Sequence, residues 1–170
     1  MEIFWKHGLI AALTVSLLAA CAPAGGGQSN IAVKDAWARP VMVSMGGGQT
    51  MQMEGGSHGS GHGEMKPMSA AYMLIENSGN AADRLLSASG DVAERVEVHQ
   101  TREQNGMMVM EEMKDGVEVP AGGTLVLKPA SYHIMLIGVK SDLKVGDTFK
   151  LNLKFQSGRE VSVEVTVREP

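Results

Sequence analysis

Hydrophobic and polar residues alternate along most of the chain from Ile31 onward. The clearest case is residues 149–155, where Phe, Leu, Leu and Phe alternate with polar residues. After Ser157-Gly158, four valines alternate with polar residues over 161–167 in the same way. A period of two residues is typical of a β-strand that buries one face and exposes the other. The pattern therefore predicts an antiparallel hairpin at the C-terminus, with one face in a core.

The same alternation predicts nine strands within one domain that spans residues 31–168. Turn-forming pairs such as Asn105-Gly106 and Asp115-Gly116 separate them. Many short strands with turns at this spacing predict an all-β fold, a β-sandwich. Helix is expected at most as a single turn around Gly90–Glu94. The predicted strands are Ile31–Ala38, Ala70–Glu76, Arg84–Ala88, Glu94–Thr101, Met107–Glu111, Thr124–Leu127, His133–Val139, Thr148–Phe155 and Glu160–Val167.

Residues 1–21 have the pattern of an export signal. Lys6 precedes an apolar run over residues 9–20, which is as long as a signal-peptide core and short for a membrane-spanning helix. The run ends in Leu-Ala-Ala-Cys21, which resembles the bacterial lipobox and implies cleavage before Cys21 and attachment of lipid to its sulfur. The alternative is a plain secretory signal. Either way we expect a protein of the periplasm or cell envelope, with residues 22–30 as a flexible tether.

Composition excludes some functions. The chain has 170 residues and a net charge of −4, without a basic run that could neutralise phosphates, so no nucleic-acid partner is expected. Its single Cys allows neither an intrachain disulfide nor a thiolate zinc site. The unusual count is 13 Met. Met commonly fills irregular cores, but six of these residues lie in a Gly-rich segment, 42–68, that cannot form one.

The segment 42–68 carries potential metal ligands on a chain unsuited to regular structure, since eight of its residues are Gly. Thioethers suit Cu(I), whereas imidazoles with a carboxylate can take Cu(II). The segment is therefore predicted to be a second, flexible copper site, and the alternative is a low-complexity linker. Its candidate ligands are His58, His62, Met51, Met53, Met65 and Met68.

A second set of His and Met residues lies on the predicted strands. His99 alternates with Val96 and Val98, so it should face away from the core. Met110 follows on the next strand, and His133 and Met135 lie two apart on a third, roughly 7 Å from each other on the same side. Three such strands brought together would present two imidazoles and two thioethers, a neutral soft set that suits Cu(I). The alternative is a structural His and Met used as core filler.

The spacing of these four residues resembles that of the periplasmic copper chaperones of the PCu(A)C family. Ten residues separate His99 from Met110, and 22 separate Met110 from His133-Ile134-Met135, one more than in the family pattern. The Met/His segment 42–68 also departs from the short loop expected there. Further resemblance lies at Asp35–Arg39, Ala71–Met73, Asn77–Gly79, Asp83–Leu85, Pro120–Gly123, Lys128-Pro129 and Leu136–Gly138.

The resemblance implies a cupredoxin-like Greek-key β-sandwich that binds Cu(I) through His99, Met110, His133 and Met135. It also implies delivery of copper to an accepting protein, such as a cytochrome c oxidase subunit during assembly of its Cu(A) centre, or another assembly chaperone. A lipid anchor at Cys21 would add the membrane as a partner.

Other functions remain in view. A copper-buffering or resistance lipoprotein is equally compatible with these residues. An electron-transfer cupredoxin needs a Cys thiolate beside two His, and the single Cys lies in the lipobox. An enzyme is not expected, because the sequence offers no nucleophile–base pair, no phosphate-binding Gly loop and no paired carboxylates.

Overall fold

The computed structural model describes residues 27–43 and 66–170. The predicted signal 1–21 with Cys21, the first part of the tether, and Met51, Met53, His58, His62 and Met65 lie outside the described residues. Within those two ranges, no helix is long and apolar enough to cross a membrane.

The described chain forms ten strands and no helix. All nine predicted strands are present, with ends shifted by three residues at most. The single helical turn expected at Gly90–Glu94 is wrong: residues 91–92 form a turn and a strand begins at Ala93. One strand was missed because it is only three residues long. The strands are β1 Ile31–Ala38, β2 Met68–Asn77, β3 Asp83–Ser89, β4 Ala93–Gln104, β5 Met107–Glu112, β6 Val117–Val119, β7 Thr124–Leu127, β8 Tyr132–Val139, β9 Thr148–Phe155 and β10 Glu160–Val167.

The strands hydrogen-bond in the order β5-β4-β8-β2-β1-β10-β9-β3-β6, and β7 pairs with β2 beside β8. Every pairing is antiparallel except that of β1 with β10, where Trp37 lies opposite Thr166. The register of β1 on β2 shifts between Lys34 and Trp37, and Asp35 has φ 50° within this irregularity. Beyond the shift, Trp37 and Ala38 pair with β2 on one edge and with β10 on the other.

One hydrophobic core joins the two ends of the sheet. Val98 of β4 and Ile134 of β8 belong to the same buried cluster as Leu153 and Phe155 of β9 and Val165 of β10. The strand order must therefore curl on itself, with the core between its halves. On β4 and β8, the alternate side chains consequently point away from this core.

A buried carboxylate ties three segments together at one end of the core. Asp83 at the start of β3 accepts hydrogen bonds from the hydroxyls of Ser29 and Ser157, at 2.6 and 2.7 Å. The backbone N–H groups of Arg84 and Ser157 also donate to it, at 2.8 and 3.1 Å. The contacts join the segment before β1 to the turn between β9 and β10.

Candidate metal centre

Strand register places the four predicted ligands on one face of three neighbouring strands. In β4, His99 lies directly opposite His133 of β8, and Thr101 lies opposite Met110 of β5. Opposed residues of antiparallel strands point to the same side. Met135 is two residues after His133 and shares its face. The expectation that His99 faces away from the valine-covered core is confirmed, since Val98 is buried opposite Ile134.

A tight turn sets the register of β5. Asn105 and Gly106 have φ of 54° and 78°, the left-handed conformations of a two-residue type I′ hairpin turn. Asn and Gly tolerate these angles better than other residues, so the pair fixes where β5 starts against β4. Met110 thereby reaches the position beside Thr101, diagonal to His99.

His133 is the most buried of the four, with 3% of its surface exposed. Its Nδ1 lies 3.0 Å from the backbone carbonyl oxygen of Ser131. A carbonyl can only accept, so Nδ1 carries the proton and Nε2 carries the lone pair. That Nε2 atom is buried and has no hydrogen-bond partner in the described part of the chain.

His99 lies beside it, with ring centroids 5.9 Å apart and an angle of 56° between the planes. Its Nε2 is 2.8 Å from a carboxylate oxygen of Glu97. Its Nδ1 is buried and, among the described residues, has no hydrogen-bond partner. Each imidazole thus has one nitrogen held by a protein acceptor and one buried nitrogen left over.

Burial lowers the pKa of His133 below its ordinary value of 6.5. The hydrogen bond with Ser131 acts in the opposite direction, while the nearby His99 and Arg39 reinforce the lowering. The neutral imidazole is consequently favoured, and this is the form that binds a metal ion.

A cavity of about 390 Å³ opens beside the rings, and its lining includes Met110, His133 and Met135. Met110 is 51% exposed and Met68, also in the lining, is 54% exposed, so both thioethers lie at the mouth. His99 does not line the cavity and lies behind it, against His133. The structure therefore keeps the two imidazoles largely buried and leaves the thioethers of Met110 and Met68 accessible.

Aromatic and cationic side chains form the wall on the β2 side. The Tyr72 ring is 6.4 Å from the His133 ring and 4.7 Å from that of Trp37. Arg39 lies over Tyr72, with its guanidinium carbon 5.8 Å from the ring centroid. Burial raises the pKa of the Tyr72 hydroxyl, which outweighs the effect of Arg39. This wall supplies shape to the cavity, and sequence reasoning did not identify it.

The donor set combines neutral, soft ligands, which suit a soft cation. Among the residues that the structure describes, no group of three or more His, Cys, Asp or Glu side chains is arranged to hold a metal ion. Two imidazoles and two thioethers on one face instead match the preferences of Cu(I). Of the six ligands predicted for the second site, only Met68 is described, and it lies at the mouth of this cavity.

Sequence reasoning did not identify Glu97 and Arg95 as members of the site. Arg95, Glu97 and His99 occupy alternate positions of β4 and share a face. This spacing was visible in the sequence and could have drawn attention to the carboxylate. The sequence could not predict the side-chain rotamers that bring the Glu97 carboxylate into contact with the His99 imidazole.

Comparison with known proteins gives a family and a fold. The model of the family described as "Putative lipoprotein LpqE-like" matches residues 31–167. A "Putative lipoprotein" of Leifsonia xyli subsp. xyli (strain CTCB07) is 35% identical over 102 residues, which are 60% of this chain and 61% of the relative. An uncharacterized protein of Rickettsia prowazekii (strain Madrid E) is 31% identical over 99 residues, 58% of this chain and 55% of the relative. The chain spans less than two thirds of the length of either relative.

Solved structures share the architecture. The copper-bound PCuAC domain from PmoF2 is 20% identical, with a TM-score of 0.55 over 84% of this chain and 99% of that one. The solution structure of CuI-DR1885 from Deinococcus radiodurans is 28% identical, with a TM-score of 0.53 over 80% of this chain and 78% of that one. The predicted all-β, cupredoxin-like sandwich is confirmed.

Proposed function

The chain belongs to the LpqE-like lipoprotein family, and on this premise we propose that it carries copper in the cell envelope, binding Cu(I) through His99, Met110, His133 and Met135. The observation that carries the proposal is the pair of buried imidazole nitrogens without hydrogen-bond partners, on the same strand face as two thioethers. Buried polar atoms are nearly always paired in folded proteins, so two such atoms on adjacent imidazole rings, with centroids 5.9 Å apart, favour a shared ligand. The softness of the thioethers selects Cu(I) over harder ions.

Similarity to solved structures supports the same cargo. The PCuAC domain from PmoF2 is copper-bound, and the Deinococcus radiodurans protein, a Cu(I) form, is 28% identical to this chain. In this chain copper is a cargo and not a resident catalytic group. A carrier of this kind performs no chemistry on its ion, and we propose a binding role without enzymatic activity.

Release requires ligands that can be exchanged one at a time. Met110, half exposed at the cavity mouth, can be replaced by a ligand of a partner while the buried His133 still holds the ion. Neutral ligands also attract the cation less strongly than the anionic ligands of a thiolate or carboxylate site do. We propose that the recipient is a copper-accepting protein, such as a cytochrome c oxidase subunit during Cu(A) assembly or another assembly chaperone. The resemblance to the PCu(A)C family supports this step.

Two methionines test the ligand set. The double variant M110L/M135L should keep its fold, since Met-to-Leu changes in packed sites usually cost less than about 1.5 kcal/mol. It should lose most of its Cu(I) affinity in competition titrations under reducing conditions. X-ray absorption should show sulfur and nitrogen ligands in the parent protein, with the sulfur signal reduced in the variant. M107L is the matched control, because Met107 lies on the opposite face of β5 from Met110. Parent-like Cu(I) affinity in the double variant would show that the thioethers of Met110 and Met135 are not ligands.

We further propose a second copper ion in the segment 42–68, as Cu(I) or Cu(II), with His58, His62, Met51, Met53, Met65 and Met68 as candidate ligands. Support comes from where this segment leaves the sheet: Arg39 and Pro40 before it, and Met68 at its end, line the cavity. Both ends are tied to the sheet. Val41 exchanges backbone hydrogen bonds with Leu143 at 3.0 and 2.8 Å, and the Pro67 carbonyl accepts from Gly138 and Val139. The two described ends of the segment therefore lie beside the first site.

Deletion of residues 45–67 tests the second ion. Bound copper should fall from two equivalents toward one, with the remaining ion retaining the parent affinity. Unchanged stoichiometry would contradict a second site.

Attachment to the membrane through Cys21 completes the proposal, in keeping with the lipoprotein family match. C21S should leave the protein in the soluble fraction after export. Transfer to an apo acceptor from the same envelope then separates delivery from buffering: a carrier should pass its ion on within the assay, whereas a buffer would retain it.

A further inference from the structure

Three side chains on the face of β4 that carries His99 contact one another in series. Arg95 Nη1 lies 2.9 Å from Glu97 Oε1, and Glu97 Oε2 lies 2.8 Å from His99 Nε2. Each oxygen of the carboxylate therefore has its own partner. The side chains of Glu97 and His99 are only 17% and 14% exposed, so water competes weakly for this contact.

The contact with Glu97 fixes the tautomer of His99. An ionised carboxylate can only accept a hydrogen bond, so Nε2 must be the donor. A neutral imidazole carries one proton, which leaves the lone pair on Nδ1, the buried atom without a partner. In His133 the assignment is reversed: Nδ1 donates to Ser131 and Nε2 carries the lone pair. The two adjacent rings thus present different nitrogens.

We propose that Glu97 is a positioning residue that makes Nδ1 of His99 the copper-binding atom, while His133 binds through Nε2. This inference rests on the copper site proposed above. In metal sites generally, a carboxylate on the second imidazole nitrogen fixes the ring and increases the basicity of the binding nitrogen. Arg95 in turn holds the far oxygen of Glu97, which orients the carboxylate along the strand.

The position of Glu97 also affects charge at the site. It lies directly opposite Met135 in the β4–β8 register, so its carboxylate flanks both a predicted imidazole ligand and a predicted thioether ligand. The four proposed ligands are neutral, and Glu97 is the anion that contacts one of them. Because the Arg95 guanidinium lies 2.9 Å from the same carboxylate and offsets its charge, Glu97 adds only a weak attraction for a cation and no hard ligand.

The tautomer can be measured without copper. In the apo protein, ¹⁵N spectra of the imidazoles should show the proton of His99 on Nε2 and that of His133 on Nδ1. E97L should give a tautomer mixture at His99 and leave His133 unchanged, whereas E97Q, whose amide oxygen can still accept, should restore the Nε2–H form. E103L is the matched control for loss of one negative charge, because Glu103 lies on the same face of β4, four residues past His99. A proton on Nδ1 of His99 in the parent protein would overturn the proposal.

Addition of Cu(I) gives the second test, since this ion is diamagnetic and the same nitrogens can be followed. The Nδ1 resonance of His99 and the Nε2 resonance of His133 should shift, and Cu(I) affinity should fall by about 10- to 100-fold in E97L. E97Q should recover most of that loss, and E103L should match the parent. A copper-induced shift at Nε2 of His99 would refute the role of Glu97 and leave the copper site standing. Cu(I) binding that shifts the nitrogen resonances of neither ring would instead refute the proposed ligand set. The tautomer of His99 in the apo protein would still test the role of Glu97.

Discussion

At the scale of the residue, His133 couples the stability of the empty protein to pH. Burial lowers its pKa below 6.5 in the folded state. The unfolded chain therefore takes up the proton first, and as pH falls below 6.5 this protonation stabilises the unfolded state relative to the folded state. The contribution of the neutral ring to stability is complete above 6.5 and declines as pH falls from there toward the folded-state pKa.

We therefore expect the apo protein to unfold at lower denaturant concentration as pH is reduced below 6.5. H133Q should show a weaker dependence over the same range, because an amide does not titrate and can still donate to the Ser131 carbonyl. Urea unfolding monitored by circular dichroism at a series of pH values measures this. If the urea midpoint changed equally with pH in parent and variant, a group other than His133 would cause the pH dependence.

Sequence reasoning placed the four proposed ligands on one face because strand alternation is local and His99 follows two valines. Other contacts depended on strands distant in sequence. Met68 was predicted to belong to the inserted segment, and only the register of β2 on β8, with Met68 opposite Ile137, brings it to the main cavity. The wall formed by Tyr72 and Arg39 depends on the same pairing of distant strands.

At the scale of the element, β5 carries Met110 and is an edge strand, which among the described strands pairs with β4 alone. Its register depends on Asn105-Gly106, and an added Cβ at Gly106, φ 78°, would strain the backbone without touching any atom within 4 Å. Such strain costs roughly 1 kcal/mol. Because β5 has a single partner strand, local opening of the hairpin can relieve it.

G106A should therefore raise amide hydrogen exchange in β5 and lower Cu(I) affinity, with a small loss of global stability. G146A is the matched control, since Gly146 also has positive φ, at 95°, with open space around it, but lies in the turn before β9. It should lose comparable stability and bind copper as the parent does. Equal copper affinity in both variants would show that the hairpin turn does not position Met110.

Long alternating strands were predictable because each carries its own pattern, as β9 and β10 do. The three-residue β6 was not predictable, because Val117 and Val119 alone are too few to show an alternating pattern. This strand forms through its pairing with β3. The bounds of β4 were also underestimated. Its last residues, Arg102–Gln104, are polar and exposed, and they are strand because β5 pairs with them.

At the scale of the whole molecule, Asp83 joins segments far apart in sequence. Burial alone would raise the pKa of its carboxyl, but hydrogen bonds from Ser29, Ser157 and Arg84 together lower it below its ordinary 3.8. Ionised Asp83 therefore stabilises the fold above pH 3.8, and this contribution is lost as pH falls through the lower pKa of the folded state.

D83N should lower the free energy of unfolding by about 1 to 3 kcal/mol at neutral pH, because buried hydrogen bonds to a charged acceptor are weakened. Its stability should also depend less on pH below 3.8 than that of the parent. D147N is the control, since Asp147 is exposed and its carboxylate accepts a hydrogen bond from the backbone of Lys144. Chemical denaturation at neutral and acid pH distinguishes the two variants.

The parallel pairing of β1 with β10 has a consequence for folding kinetics. The first strand of the domain lies between β2 and the last strand, so the sheet cannot be completed until residues 160–167 are available. Contacts between such distant parts of a chain slow folding, typically to milliseconds or seconds in β-rich domains. A chain emerging from the ribosome would thus stay incomplete until residues 160–167 had been synthesised. That delay is compatible with translocation as an unfolded polypeptide, the state in which an export signal at residues 1–21 would deliver it.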